Sequence, residues 1–574
     1  MDIEQYLRDL RARQARVTPA GTPSNVVYPL GEISIPGHVA HWAALYPDRA
    51  AIIFQGRTVT YRELDALTRG LAGWIEAVGV RARDRVAVYL PNCPQFIIAM
   101  MAVLHLGAVH VPVNPMFQSA ELEYELKDSG AEVVVTLDTL LPVLETVRSE
   151  SSVREVLVTT AMEMSRTGQE PSADIVSDRG PLSVWADAVA HAPTAGRPSD
   201  LDELAVLNYT GGTTGLPKGC EHTQRHMLYT AVAMAAATLR RPGAGNVTLC
   251  YIPIFWIAGE SLGILYPLVL GGTSVLMPRW EPGQVLEAID RNRVTTMTGT
   301  VENYIELLGH PEFSRHDLSS LVDPMAVSFV RKLSPEVRHQ WSFAAGPTSL
   351  LRESAYGLTE THTFDAMPYG FADDDKDLRA EPVFCGIPVP GTDIAVVSFE
   401  TGDPVDIGQV GEIIVRSPSV MTGYWQKPEE SAKQLRDGWL HSGDNGRIDE
   451  DGCVHFLGRD KDMIKVKGMS VFPAEVEMLL SRHPDVQSAA VVPADDASKG
   501  QQPVAFVSVS PGSGTDAATL QAWAAQNMAS YKVPLVEIVD DFPMTATGKI
   551  RKIDLVSRAQ EIVDQWSAPS SARL

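Results

Sequence analysis

From residue 35 to about residue 363, short apolar runs alternate with segments whose apolar residues recur at helical spacing. A-A-I-I-F-Q at 50–55 and R-T-V-T at 57–60, separated by Gly56, predict a hairpin. Residues 61–78 place apolar side chains three and four apart and predict a helix, with Thr60 as its N-cap. Residues 84–90, 108–112, 133–137 and 156–159 predict buried strands, and residues 94–106 a helix among them. Such alternation predicts a parallel sheet covered on both faces. A second α/β run extends from about Met227 to Thr363, and short strands at 393–398 and 411–415, bounded by Gly and Pro, suggest a small β-barrel. Helices at 473–480 and 519–528 with strands at 486–492 and 504–509 predict a separate α+β unit. The expected fold class is therefore α/β: a large N-terminal domain, 1–460, of two α/β subdomains plus a small β-barrel, and a small mobile α+β C-terminal domain, 461–574. A short amphipathic helix opens the chain, residues 160–198 form a Ser/Pro/Gly/Asp-rich excursion, and 567–574 read as a disordered tail.

Composition narrows the class. The 574 residues exceed one domain, and 45% hydrophobic content is that of an ordinary globular protein. A net charge of −23 argues against nucleic acid as a partner, because duplex binding depends on neutralising phosphates. The charge is uneven: from residue 461 onward 11 Lys and Arg face 13 Asp and Glu, so the acidity lies upstream. The nearly neutral end carries Lys461, Lys465, Lys467, Lys549, Arg551 and Lys552, which either face an anionic ligand or cluster by chance on a solvated face. Five scattered cysteines lack metal-ligand spacing and fit a reduced, cytoplasmic setting. The charged N-terminus is unlike a secretory signal, and no apolar run reaches the roughly 18 residues of a membrane span.

The stretch that carries most chemistry is Y-T-G-G-T-T-G-L-P-K-G at 209–219. It combines little side-chain bulk, many free backbone N–H groups, three threonine hydroxyls and one lysine, which suits a cluster of anionic oxygens. The run E-L-A-V-L-N at 203–208 predicts a strand before it, and open α/β sheets bind ligands at the carboxyl ends of strands. A flexible surface turn could use similar glycines. A Walker A loop is excluded, since Pro217 precedes Lys218 and Gly219 follows it.

Four further segments stand in order downstream: Y-G-L-T-E at 356–360, W-L-H-S-G-D at 439–444, G-R-D-K-D at 458–462 and P-M-T-A-T-G-K-I at 543–550. With the 209–219 loop they resemble the signature elements of the adenylate-forming superfamily, which comprises acyl-CoA synthetases, nonribosomal peptide adenylation domains and luciferases. The similarity spans nearly the whole chain and is nearest to AMP-forming fatty-acid–CoA ligases. The resemblance implies ATP, Mg²⁺ and CoA as cofactors and a small-molecule carboxylic acid as the partner substrate. It implies that Thr210, Gly211, Gly212, Thr213, Thr214, Gly215 and Lys218 cradle phosphates. Tyr356 and Gly357 would meet the adenine, and Glu360 with Thr213 would hold Mg²⁺, Thr359 standing beside them. Asp444 would accept from the ribose hydroxyls and Arg459 would reach the same sugar. Lys461 would be the pivot between domains, with Lys467 and Gly468 turned toward CoA in the second step. Lys549 would neutralise charge developing at the α-phosphate as pyrophosphate leaves.

The chain departs from the pattern in places. A glycine stands where the phosphate loop often carries serine. In I-P-I-F-W-I-A-G at 252–259, Trp256 replaces a histidine at the acyl gate, as an apolar wall or as core. The G-G-A-P element is absent, with P-M-A-V-S-F-V at 324–330 in its neighbourhood. The acyl pocket is expected around Trp256, Thr300 and Ser328, where Glu302 is an unexplained charge. The expected activity is activation of a medium- or long-chain fatty acid to acyl-AMP and transfer to CoA. The alternatives are an aryl-acid CoA ligase, a stand-alone enzyme loading a carrier protein, a non-catalytic nucleotide binder, or luciferase-type oxidation, which nothing in the sequence promotes. Oligomeric state is open, a homodimer included.

Overall fold

The computed structural model describes residues 2–168, 182–197, 200–210, 216–328, 331–380, 383–459, 462–467, 469–496, 498–544 and 549–567. Four sheets organise these residues. In the first, Ser183–Val184, Glu155–Thr159, Val133–Leu137, Arg85–Tyr89, Val109–Pro112 and Leu204–Tyr209 lie parallel, and Gly219–Thr223 closes the edge antiparallel to its neighbour. The second repeats this plan with Arg352–Glu353, Asp323–Val327, Thr296–Thr300, Val247–Cys250, Thr273–Leu276 and Ala50–Phe54 parallel, and Arg57–Thr60 antiparallel. The predicted hairpin is therefore present, but it edges a sheet whose other strands lie beyond residue 246. Thr60 caps Tyr61–Ala77 as expected, its hydroxyl accepting the Glu63 N–H.

The two sheets meet across one apolar cluster containing Val86 and Val88 from the first and Ile52 and Leu276 from the second. The helix Pro94–His105 belongs to that cluster and is buried from Pro94 to Leu104, where the polar Gln95 is satisfied by donating to Thr159 Oγ1 (3.0 Å) and the Thr160 carbonyl (2.9 Å). Asn92, just before it, pins the seam. Its Nδ2 donates to the carbonyls of Ile252 and Met277, each at 3.0 Å, and its Oδ1 accepts from Ile254 N–H at 2.9 Å. Three hydrogen bonds satisfy a side chain that would be costly to bury unpaired.

The small barrel is an open half-barrel. Ala366–Met367, Val383–Pro388, Val454–Arg459, Trp439–Ile448, Gly411–Arg416 and Asp393–Val397 pair antiparallel in that order, and no described pairing joins the two ends. The opening helix, Ile3–Gln14, packs Tyr6, Leu7 and Leu10 into this sheet's core, and Arg11 forks onto Asp393. The fourth sheet joins Met469–Val471, Ile464–Val466, Gly500–Val509, Val486–Asp496 and Leu535–Ile538. Helices Pro473–Leu480, Ala517–Asn527 and Ile553–Ser567 complete the unit, and Pro473–Leu480 packs against Val454–Arg459 of the half-barrel. The last helix was not anticipated; Ser567 ends it, and the rest of the expected tail lies outside the described residues.

Candidate active site

Leu204–Tyr209 and Gly219–Thr223 form a hairpin whose connection is the 209–219 loop, at the carboxyl end of a parallel strand as expected. Thr210 N–H donates to the Lys218 carbonyl (2.9 Å) and Lys218 N–H to Thr210 Oγ1 (3.2 Å), closing the loop's stem. Gly211, Gly212, Thr213, Thr214 and Gly215 lie outside the described residues. The stem is anchored from below. Asp128 accepts from the Tyr209 hydroxyl (2.8 Å) and from Lys427 Nζ (2.7 Å), and the Tyr124 hydroxyl donates to the Pro217 carbonyl (2.7 Å). Lys218 Nζ sits 3.9 Å from the centre of the Tyr424 ring.

The same Tyr424 reaches the next element. Its hydroxyl donates to Glu360 Oε1 at 2.7 Å, while Met421 N–H holds the Glu360 carbonyl at 2.8 Å. Glu360 rides on the short turn Thr359–Thr361. Gly357, expected near adenine, has a local reason to be glycine: a Cβ there would stand 1.1 Å from the Thr363 carbonyl oxygen. Tyr356 offers its hydroxyl to Asp444 Oδ2 at 2.8 Å, which joins the 356–360 and 439–444 segments directly.

Asp444 and Arg459 face each other across the antiparallel pair Trp439–Ile448 and Val454–Arg459. Asp444 is 3% exposed, and its Oδ1 makes no hydrogen bond among the described residues, with Arg459 Nε 3.4 Å away. Burial raises the Asp444 carboxyl to about 6, against the pull of Arg459, the Tyr356 hydroxyl and Lys549. Glu412 fixes the segment, accepting Gly443 N–H (3.1 Å) and pairing with His441 Nδ1 (2.8 Å). Lys549 comes from the fourth-sheet unit into electrostatic reach of both Asp444 and Arg459. It stays water-accessible, yet lost hydration and then Arg459 lower its ammonium pKa, with Asp444 opposing.

Other expected residues take varied places. Lys461 and Gly468 lie outside the described residues. Lys467 is exposed at the turn between Ile464–Val466 and Met469–Val471, with φ 51° and its N–H on the Lys499 carbonyl (2.7 Å). Trp256 is half-buried, precedes the helix Ile257–Glu260 and packs edge-on to Phe255. Thr300 caps Val301–Leu308, its hydroxyl donating to Asn303 Oδ1 (3.0 Å) and accepting from Asn303 N–H (3.4 Å). Ser328 is tied to Glu353 through both its N–H and its hydroxyl. Glu302, unexplained in the sequence, accepts the Arg331 N–H at 2.9 Å.

The donor set fits a nucleotide and a divalent ion. A buried carboxylate oxygen without a hydrogen bond at Asp444 suits a sugar hydroxyl. Among the described residues no trio of His, Cys, Asp or Glu is placed to hold a metal, so Mg²⁺ beside Glu360 would share its coordination with phosphates. Profiles of the AMP-binding enzyme family match residues 39–425, and those of its C-terminal domain match 475–549. The chain belongs to the AMP-binding enzyme family. It is an AMP-forming acid–thiol ligase, working with ATP, Mg²⁺ and CoA.

It is 34% identical over 533 residues to a long-chain-fatty-acid–CoA ligase of Bacillus subtilis (strain 168), covering 90% of this chain and 93% of that one. A feruloyl-CoA synthase of Amycolatopsis sp is 34% identical over 511 residues, covering 89% and 96%. The crystal structure of the anthranilate CoA ligase AuaEII in complex with anthranoyl-AMP superposes with a TM-score of 0.79 at 27% identity, over 93% of this chain and 98% of that one. Tyr424, Asp128 and Lys427 were not singled out in the sequence; only the aromatic pair at 424–425 could have drawn notice. Among the described residues no helix is long and apolar enough to cross a membrane.

Proposed function

We propose that the chain is a cytoplasmic ligase that activates a medium- or long-chain fatty acid to acyl-AMP and passes the acyl group to CoA. The observation that carries the site assignment is the meeting of Asp444, Arg459, Tyr356 and Lys549 where the half-barrel faces the fourth-sheet unit. In the first step the acid's carboxylate attacks the α-phosphorus of ATP, and pyrophosphate leaves with the electrons of the broken P–O bond. Lys549 stabilises the charge that develops there. Asp444 Oδ1 and Arg459 hold the ribose, and Tyr356 borders the adenine. Lys218 and the 210–215 loop hold the phosphates. Glu360 and Thr213 would hold Mg²⁺, whose charge would offset that of the phosphates, and Thr359 orients the turn. In the second step the CoA thiol, losing its proton, attacks the acyl carbon and AMP departs.

One cleft serves both steps if the unit from residue 461 onward turns about Lys461, withdrawing Lys549 and presenting Lys467 and Gly468 to CoA. Trp256, Thr300 and Ser328 border the acid, and Trp256 closes the apolar side. Similarity to long-chain-fatty-acid–CoA ligases supports the fatty acid. An aryl acid is the second reading, favoured by equal identity to a feruloyl-CoA synthase and by the tilted Tyr251–Trp280 ring pair, whose Tyr251 hydroxyl bonds Asn303 beside Thr300. Pyrophosphate release with ATP, Mg²⁺ and CoA across fatty and aryl acids separates the two. Turnover confined to aryl acids would overturn the first.

A further inference from the structure

The turn that carries Glu360 is strained and held from outside. His362 and Thr363 follow it at φ 55° and 96°, and a β-branched residue there is costly. Four restraints, from the strand Gly219–Thr223, the helix Gln224–Ala237 and the loop that holds Met421 and Tyr424, counter the strain. His222 Nε2 lies 2.8 Å from the Thr359 carbonyl, and Met421 N–H holds the Glu360 carbonyl. The Tyr424 hydroxyl holds the Glu360 carboxylate, and Thr230 Oγ1 donates to the His362 carbonyl (3.2 Å).

His222 differs from the other three by its position. It sits on Gly219–Thr223, the strand that leaves the phosphate loop, four residues after Lys218. Its ring is fully buried and meets His362 edge-on at 4.9 Å and His226 at 5.5 Å. Burial, reinforced by His362 and His226, keeps it neutral, so it carries a single N–H. A carbonyl only accepts, so that N–H is on Nε2 and points at Thr359. His226 Nδ1, which accepts the Thr223 N–H at 3.3 Å, stands 3.3 Å from the opposite nitrogen. Around the cluster Glu260, held by Asn208 Nδ2 (3.0 Å), lies 3.4 Å from His362 Nε2.

We propose that His222 is a positioning residue for MgATP: its hydrogen bond to the Thr359 carbonyl ties the phosphate-loop strand to the Glu360 turn and aims the Glu360 carboxylate. This rests on Glu360 being the metal-side carboxylate. Replacing the imidazole by an apolar ring frees the strained turn to relax away from the phosphate loop, while the acid's side of the cleft keeps its contacts. Phenylalanine keeps the ring and removes the donor, and glutamine restores an N–H close to the position of Nε2.

The test uses the full-length chain. MgATP affinity is measured by calorimetry without acid or CoA, alongside KM for MgATP and for the acid, and kcat. His222→Phe should weaken MgATP binding about tenfold and raise KM for MgATP in step, leaving KM for the acid within about twofold. His222→Gln should recover most of the affinity. If His222→Phe does not fold, His222→Asn, too short to reach Thr359, should show the loss that His222→Gln does not. Unchanged MgATP affinity in His222→Phe, an equal rise in both KM values, or equal losses in the Gln variant and its donor-less counterpart would overturn the proposal. Glu360→Gln is measured in parallel. If it binds MgATP as the wild type does, the assignment of Glu360 falls and the proposal with it; loss there with an unaffected His222→Phe overturns the proposal alone.

Discussion

Asp444→Asn should make the ligand-free protein more stable while impairing its nucleotide site. The carboxyl is 3% exposed, and its titration point sits at about 6 where an ordinary aspartate has 3.8. Burial is the largest cause, and Arg459, the Tyr356 hydroxyl and Lys549 recover only part of it. At about 1.4 kcal/mol per pH unit, keeping this group ionised costs the folded state on the order of 3 kcal/mol at pH 8. Because the folded value lies above the unfolded one, the folded state binds this proton more tightly. Stability is therefore fullest below about pH 4 and is lost as pH rises through about 6. Asparagine still accepts the Tyr356 hydroxyl through its Oδ1 and carries no charge to desolvate. In denaturant unfolding of the ligand-free protein at pH 8, the variant's first transition should move up by an amount worth about 3 kcal/mol. At pH 5, between the two titration points, about half the gain should remain, and at pH 4 about a fifth. KM for ATP should rise about tenfold or more, since one carboxylate acceptor is lost from the sugar site. A variant no more stable than wild type at pH 8, or one whose gain does not change with pH, would refute the reasoning.

Further outcomes follow from the same geometry. Lys549→Ala should abolish acyl-AMP formation yet spare thioester formation from supplied acyl-AMP; equal loss of both steps would mean that the lysine serves the fold or both reactions. Gly357→Ala must displace the Thr363 carbonyl, which a Cβ would approach to 1.1 Å, so MgATP binding should be lost and stability should fall by about 3 kcal/mol or more, read by calorimetry and thermal unfolding. Asp365 is fully buried and burial raises its carboxyl to about 8, so the stability it allows is fullest below the ordinary aspartate value and is lost as pH rises through about 8; Asp365→Asn should flatten that slope in unfolding measured from pH 5 to 9. Asn92→Ala removes three buried hydrogen bonds across the seam of the two large sheets and should cost about 3 kcal/mol, measured by denaturant midpoint.

Local features were legible where the chain's own neighbours decide them. Thr60 before the periodic run 61–78 announced a capped helix, and residues 94–106 were legible as another. Leu555, Ala559 and Val563, four apart, would have announced the last helix, had the run not followed a polar stretch. Pairing partners far along the chain were not legible: Ala50–Phe54 lies against Thr273–Leu276, and nothing near residue 50 specifies that neighbour. The site divides in the same way. Asp444, Arg459, Glu360 and Lys549 stood in short motifs whose spacing survives in one dimension. Tyr424 and Asp128 reach the site from elements that topology alone brings there, His222 stands four residues after Lys218 on the strand that leaves the loop, and as single residues all three look like core or surface. Glu302 shows the converse: a charge that the sequence leaves unexplained accepts a backbone N–H in the loop that follows Asp323–Val327.

The most direct test of the account is the product balance when ATP, Mg²⁺ and a panel of fatty and aryl acids are supplied with and without CoA. The account predicts pyrophosphate and AMP in equal amounts, continuous turnover only with both acid and CoA, and an acyl-CoA product from a medium- or long-chain fatty acid. A single equivalent of pyrophosphate that CoA does not extend, or release that no acid stimulates, would contradict it.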